Sequence, residues 1–177
     1  RYDHYSDFGG EISPRVGLTW EYIEGYDLKL LYGHAFRAPT FFELYDAASV
    51  NPDLDPETID TYEVSLGAEL TSSLSSRVTF WRRELKDFIL PTSPLPPYNY
   101  ANYGETTEHG LELEMKYDFG RGTYLAGNYS YTNFDTLTLP DGRKIRNLTS
   151  PRHTGNIIAN IRLSRYLNFY GDCHIED

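Results

Sequence analysis

Residues 30–70 read LLYGHAFRAPTFFELYDAASVNPDLDPETIDTYEVSLGAEL, and the order of residue types within them decides the fold. The segment opens as an alternating run, breaks at Ala38-Pro39 and passes through an aromatic and acidic excursion. Alternation resumes after Asn51-Pro52-Asp53-Leu54-Asp55-Pro56-Glu57-Thr58. Proline lacks the N–H that a sheet ladder needs, so Pro39, Pro52 and Pro56 place the middle part outside strand pairing. What remains is a long strand, a long structured loop and a strand returning beside the first.

Outward from this stretch, period-two alternation recurs along the chain. Upstream, after a strand end and a polar loop in residues 1–14, Val16, Leu18, Trp20 and Tyr22 oppose Arg15, Gly17, Thr19 and Glu21. Leu28, Leu30, Tyr32, His34 and Phe36 then oppose Lys29, Leu31, Gly33, Ala35 and Arg37. Downstream, Tyr62, Val64, Leu66, Ala68 and Leu70 alternate with Glu63, Ser65, Gly67 and Glu69. The run RVTFWRRELKDFIL is interrupted at Arg82-Arg83, which predicts a bulge or the emergence of the strand above a membrane. The cleanest strand sets Leu111, Leu113, Met115, Tyr117 and Phe119 against Glu112, Glu114, Lys116 and Asp118. Two further strands centre on Leu125–Tyr131 and Ile157–Leu163, and LNFYGDC begins another. Tight turns are expected near 23–27, 71–76, 120–122 and 164–166, and long loops near 5–14, 38–60, 91–108 and 136–152. Alternation of short turns with long loops is the habit of outer-membrane barrels.

Two motifs here resemble a signature of TonB-dependent outer-membrane receptors. In that family a barrel strand ends in G-x-A-F-R-A-P-[ST]-F-x-E-L-Y, matched by Gly33 to Tyr45, and a loop N-P-x-L-x-P-E-T follows, matched by Asn51 to Thr58. A strand of the Y-E-x-G-L type comes next; here it is Tyr62-Glu63-Val64-Ser65-Leu66, departing only at Ser65. The resemblance continues in Lys86-Asp87-Phe88-Ile89 and in the spacing of Asn102, Gly104, Gly110, Glu112 and Glu114. It implies an all-β fold: an antiparallel up-and-down transmembrane β-barrel segment of about eight strands, part of the larger plugged class of about 22 strands. It also implies an outer-membrane receptor of a Gram-negative bacterium that imports a scarce nutrient, a ferric siderophore, cobalamin or similar. Energy would come from TonB through a plug domain missing from residues 1–177. Outer-membrane lipid, lipopolysaccharide and a small nutrient ligand are the other expected partners. No covalent chemistry is implied, so the protein is not expected to be an enzyme. The chain reads as an internal piece of the barrel domain.

Composition agrees. The 177 residues include 16 Tyr, 9 Phe and 2 Trp, yet mean hydropathy is -0.54. No run approaches the roughly 20 apolar residues of a transmembrane helix, whereas strands with every second residue polar fit. A Tyr-rich soluble sandwich would have a similar composition. The net charge of -10 opposes nucleic-acid binding by a basic footprint. Cys173 is the only cysteine, which excludes an intramolecular disulfide. The five histidines lack ligand spacing and Asp53 and Asp55 lack the other residues of a calcium loop, so no metal or cofactor is expected.

Binding residues concentrate on loops held by a rigid scaffold. Phe41, Phe42, Tyr45, Tyr98, Tyr100 and Tyr103 are candidates to stack on a bulky ligand, and Arg143, Lys144 and Arg146 to attract an anionic one. The alternative for the aromatics is packing against one another and against lipopolysaccharide. Arg37, Glu63, Glu69, Glu112, Glu114, Lys116 and Arg162 are expected to line the lumen and bond a plug; substrate binding is the alternative. Paired acids such as Glu112 and Glu114 share a strand face, and a polar lumen accounts for them without catalysis. The rival functions are a passive porin, a soluble carbohydrate-binding β-domain and an outer-membrane hydrolase, although no nucleophile motif supports the last.

Overall fold

A computed structural model describes residues 1–6, 9–45, 51–92, 99–138, 144–145 and 151–177. A small hairpin, β1 (Tyr2–Tyr5) and β2 (Gly9–Ile12), precedes β3 (Arg15–Ile23) and β4 (Tyr26–Arg37). One short helix, α1 (Phe41–Tyr45), follows, and then β5 (Glu57–Glu69), β6 (Leu74–Pro91), β7 (Tyr100–Gly120) and β8 (Thr123–Phe134). The two-residue strands β9 (Leu137–Thr138) and β10 (Lys144–Ile145) pair with each other before β11 (His153–Arg162) and β12 (Asn168–Glu176). Eight strands form one antiparallel sheet in the order β12-β11-β8-β7-β6-β5-β4-β3. That is the up-and-down, all-β sheet of about eight strands that the alternation predicts. The tight turns gather at one end of the sheet and the long connections at the other.

Three expectations need correction. The segment read as a loop over 91–108 is mostly strand: β7 starts at Tyr100 and pairs with β6 from Pro91 downward. Four prolines between 91 and 97 bias a reader towards loop, but the polar residues 100–107 find partners on the long neighbouring strand. Of the two readings of Arg82-Arg83 only the bulge is overturned, because both residues keep uniform register with β5 and β7. The opening polar segment is a hairpin rather than a strand end and loop, with Tyr2 opposite Ile12.

β6 and β7 have 18 and 21 residues, against 9 to 13 for the other strands of the sheet. About 9–11 residues cross a bilayer as a tilted strand, so the β6–β7 hairpin continues well past that length at the long-connection end. We call this continuation the arm.

Candidate functional site

Cross-strand partners share a sheet face, so the register sorts every side chain. One rung runs Glu21, Asp27, Gly67, Arg77, Glu114, Asn128, Asn156, His174 across all eight strands. The next on that face runs Thr19, Lys29, Ser65, Thr79, Glu112, Ser130, Thr154, Glu176. The intervening rung, on the other face, is Trp20, Leu28, Leu66, Val78, Leu113, Tyr129, Gly155, Ile175. Apolar side chains on that second face stand in the open: Trp20 is 58% exposed, Phe80 53% and Ile157 52%. Tyrosines flank the apolar rungs, with Tyr32 against Tyr62 at one level and Tyr22 against Tyr26 at the other. From Tyr26 to Tyr32 the rise is about 20 Å at roughly 3.4 Å per residue.

The polar face is cross-linked. Arg77 donates to both Asp27 carboxylate oxygens (2.8 and 3.0 Å) and to Ser65 Oγ (3.0 Å), which also accepts from Thr79 (2.9 Å). Gly67 lies between Asp27 and Arg77, and a Cβ there would overlap both. Asn156 donates to Asn128 (2.9 Å) and its Oδ1 meets His174 Nδ1 at 2.7 Å. Trp81, 7% exposed, lies over Gly110 with the Arg83 guanidinium 4.4 Å above its ring. This face lines an open trough between Thr19 on β3 and Ile158 on β11.

All seven residues expected to line the lumen stand on this polar face. Glu112 and Glu114 lie opposite Thr79 and Arg77, Lys116 opposite Ser75, Glu63 opposite Trp81 and Glu69 opposite Ser75. The Lys116 ammonium sits 5.0 Å over the Tyr124 ring. Arg162 stands at the turn end, opposite Asn168. Arg37 is at the far rim, where its guanidinium is taken up by two carboxylates: Glu57 (2.6 and 2.7 Å) and Glu43 (3.1 and 3.2 Å).

The rim is built from the quoted stretch. Thr40-Phe41-Phe42-Glu43 forms a capping box: Glu43 Oε2 accepts from the Thr40 N–H (2.6 Å), and Thr40 Oγ1 accepts from the Glu43 N–H (3.2 Å). Burial pushes the Glu43 carboxyl up, but Arg37 and the Thr40 donors outweigh it and hold the group below its ordinary value. The Arg37 guanidinium, bonded to Glu57, is held above its usual value. The Asn51 N–H bonds Leu44 O of α1 at 3.0 Å.

Phe41 and Phe42 project from α1, 76% and 51% exposed; Phe41 stacks obliquely on Tyr45 at 5.2 Å and Phe42 meets Tyr100 edge-on at 6.1 Å. Phe41, Phe42, Tyr45 and Tyr100 are therefore brought together at the rim. Tyr103 sits on β7 opposite Phe88, and Lys144 on β10 is exposed opposite Thr138. Tyr98, Arg143 and Arg146 lie outside the described residues. Sequence reasoning gave no role to Asn102, Leu54 and Ile89, which tie the rim to the β6–β7 arm. All three stood inside quoted motifs, and the signal was the polar character of Asn102 and the apolar character of Leu54 and Ile89. The Asp27–Arg77 pair was invisible without the register.

A sheet polar on one face, openly apolar on the other and belted by tyrosines is the wall of a membrane barrel. The sequence model of the family described as TonB dependent receptor-like, beta-barrel matches residues 1–172. The chain belongs to that family, whose members are transport receptors rather than enzymes. Among solved structures it is similar to the siderophore receptor PirA from Pseudomonas aeruginosa, with 20% identity and a TM-score of 0.76, over 99% of this chain and 34% of that one. A mutant ferric enterobactin receptor, PfeA, from the same species, in complex with enterobactin, matches with 18% identity and a TM-score of 0.77, over 98% of this chain and 29% of that one. The FrpB iron transporter from Neisseria meningitidis gives 17% identity and a TM-score of 0.72, over 93% and 27%. At these identities the likeness is one of fold. The chain spans about a third or less of those receptors' length.

Proposed function

We propose that residues 1–177 form part of the barrel of an outer-membrane active-transport receptor for a scarce nutrient, a ferric siderophore, cobalamin or similar. The observation that carries this reading is the pair of eight-strand rungs made of polar residues and glycine, alternating with a largely apolar one, within a chain of this receptor family. A bilayer offers backbone amides no partners, so strands cross it only in a closed barrel. The two edges of the described sheet, β3 and β12, then pair with strands supplied by polypeptide outside these residues, in a barrel of the class of about 22 strands. The apolar face meets lipid, and the polar face meets the lumen and a plug domain, likewise outside these residues. The long connections and the arm, with Phe41, Phe42 and Tyr45 on α1, Tyr100 and Tyr103 on β7 and the basic group at Lys144, face the cell exterior, lipopolysaccharide and the incoming ligand.

A plugged lumen lets ligand bind outside and pass only when work displaces the plug. By the resemblance to TonB-dependent receptors, that work is supplied through TonB. The test is labelled ferric siderophore or cobalamin on cells expressing the complete receptor, with and without TonB. Accumulation is lost without TonB while surface binding persists. Uptake undiminished without TonB would favour a passive channel and contradict the proposal.

A further inference from the structure

We propose that residues 51–57 are a latch that fastens α1 and the arm of the β6–β7 hairpin into a single body, able to open against the barrel wall at Asp87 and Gly104. The apolar half of the latch is the cluster of Leu44, Leu54 and Ile89, 2%, 2% and 5% exposed, with Tyr100 packed against it. Leu44 and Leu54 come from the signature stretch and Ile89 and Tyr100 from the arm, so neither segment can bury its apolar groups without the other.

The polar half is equally shared. Asn102 on the arm accepts from the Asp55 N–H (2.9 Å) and donates to Asp55 O and Asp87 O (2.8 Å each). Asn51 on the loop donates to Tyr100 O (2.8 Å). Each asparagine thereby serves backbone groups of the opposite segment that would otherwise lack a sheet partner. At the base, Glu57 binds Arg37 with both oxygens and accepts the Ile89 N–H at 2.8 Å. Arg37 also holds Glu43, so α1 and the arm hang from one ion-pair cluster.

The boundary of this body is marked in the backbone. The β6–β7 ladder is paired continuously from Leu74↔Tyr117 to Lys86↔Glu105 and again from Phe88↔Tyr103 outward, but Asp87 and Gly104 between them are unpaired. Both have positive φ, 57° and 36°, a left-handed conformation that strains Asp87 and suits glycine. Below this point lie the ladders of the wall; above it, three buried apolar side chains and a few shared bonds hold the body together, and the Arg37–Glu57–Glu43 cluster joins it to the wall. Units with so little buried apolar contact open well below the global unfolding free energy.

The proposal rests on contacts within the chain and not on what is transported, so a failed uptake test leaves it standing. Hydrogen exchange of the complete receptor in micelles tests it, comparing wild type with Asn102→Ala and, separately, Leu54→Ala. Both variants speed exchange about tenfold or more in α1, in residues 51–57 and in the arm together, while residues 108–119 of β7 and 123–132 of β8 keep wild-type protection. Acceleration confined to the neighbours of the substituted side chain would overturn the proposal, because α1 and the arm would then open separately. Loss of protection that spreads into β7 and β8 would overturn it too, because the arm would belong to the cooperative unit of the wall.

Discussion

In the wall, large apolar side chains are left open: Val16 is 65% exposed, Leu18 54% and Leu66 46%. In the rim, on the connection between β4 and β5, Leu44 and Leu54 are 2% exposed. In the proposed outer-membrane barrel the wall has two solvents and places the core of an ordinary protein on its outside, where lipid would receive it. In the same proposal the rim would project beyond that lipid into water, which fits its small core and the capped end of α1. The same chemistry, apolar side chains removed from water, is thus met by bilayer in one region and by a partner segment in the other.

The contrast breaks most visibly at the wall. Arg at a lipid-facing midplane site costs about 2–4 kcal/mol in such barrels. Leu113→Arg in the complete receptor impairs heat-resistant assembly on gels far more than Glu114→Arg, one residue away on the other face. Equal damage would mean that the two faces are not solvated differently.

The rim gives the smaller effect, and one that depends on pH. Glu43 has a folded pKa held below its unfolded value of about 4.3, so its contribution is complete above that value and is lost as pH falls through the lower folded one. A dye at Thr92→Cys, in a Cys173→Ser background, gains mobility as pH drops through that acid window. Glu43→Gln keeps a capping side chain but removes the charge; it makes the dye more mobile at neutral pH and flattens the acid response. An acid response unchanged in Glu43→Gln would assign it to another carboxylate.

The wall was the legible part of the sequence. Alternation in residues such as Leu111 to Phe119 reports a sheet face directly, because side chains on a strand have period two and the two faces differ in solvent. The ends of the strands were not legible: residues 100–107 of β7 lack alternation, and they become strand because β6 extends beside them. The Arg82-Arg83 pair shows the converse. Its charge interrupted the pattern while the backbone ladder ran on undisturbed, since both faces turn polar near the level of Tyr32 and Tyr62. Although the Thr40–Glu43 capping box emerged only from the structure, the signature stretch announced a structured loop through its prolines. Its attachment to Ile89, Tyr100 and Asn102 depends on contacts across roughly 35 to 50 positions of chain, and no local pattern encodes those.

The most direct test of the account is the accessibility of single spin labels from Glu112 to Lys116 on β7, in the complete receptor in bilayers and in the Cys173→Ser background. Collision with lipid-soluble oxygen and with a water-soluble nickel chelate is measured at each site. The account predicts a strict two-residue period: high oxygen and low nickel collision at Leu113 and Met115, and low oxygen collision at Glu112, Glu114 and Lys116, where the label meets lumen and plug. Equal nickel access at all five sites would describe a strand in water on both faces, and would contradict the membrane wall.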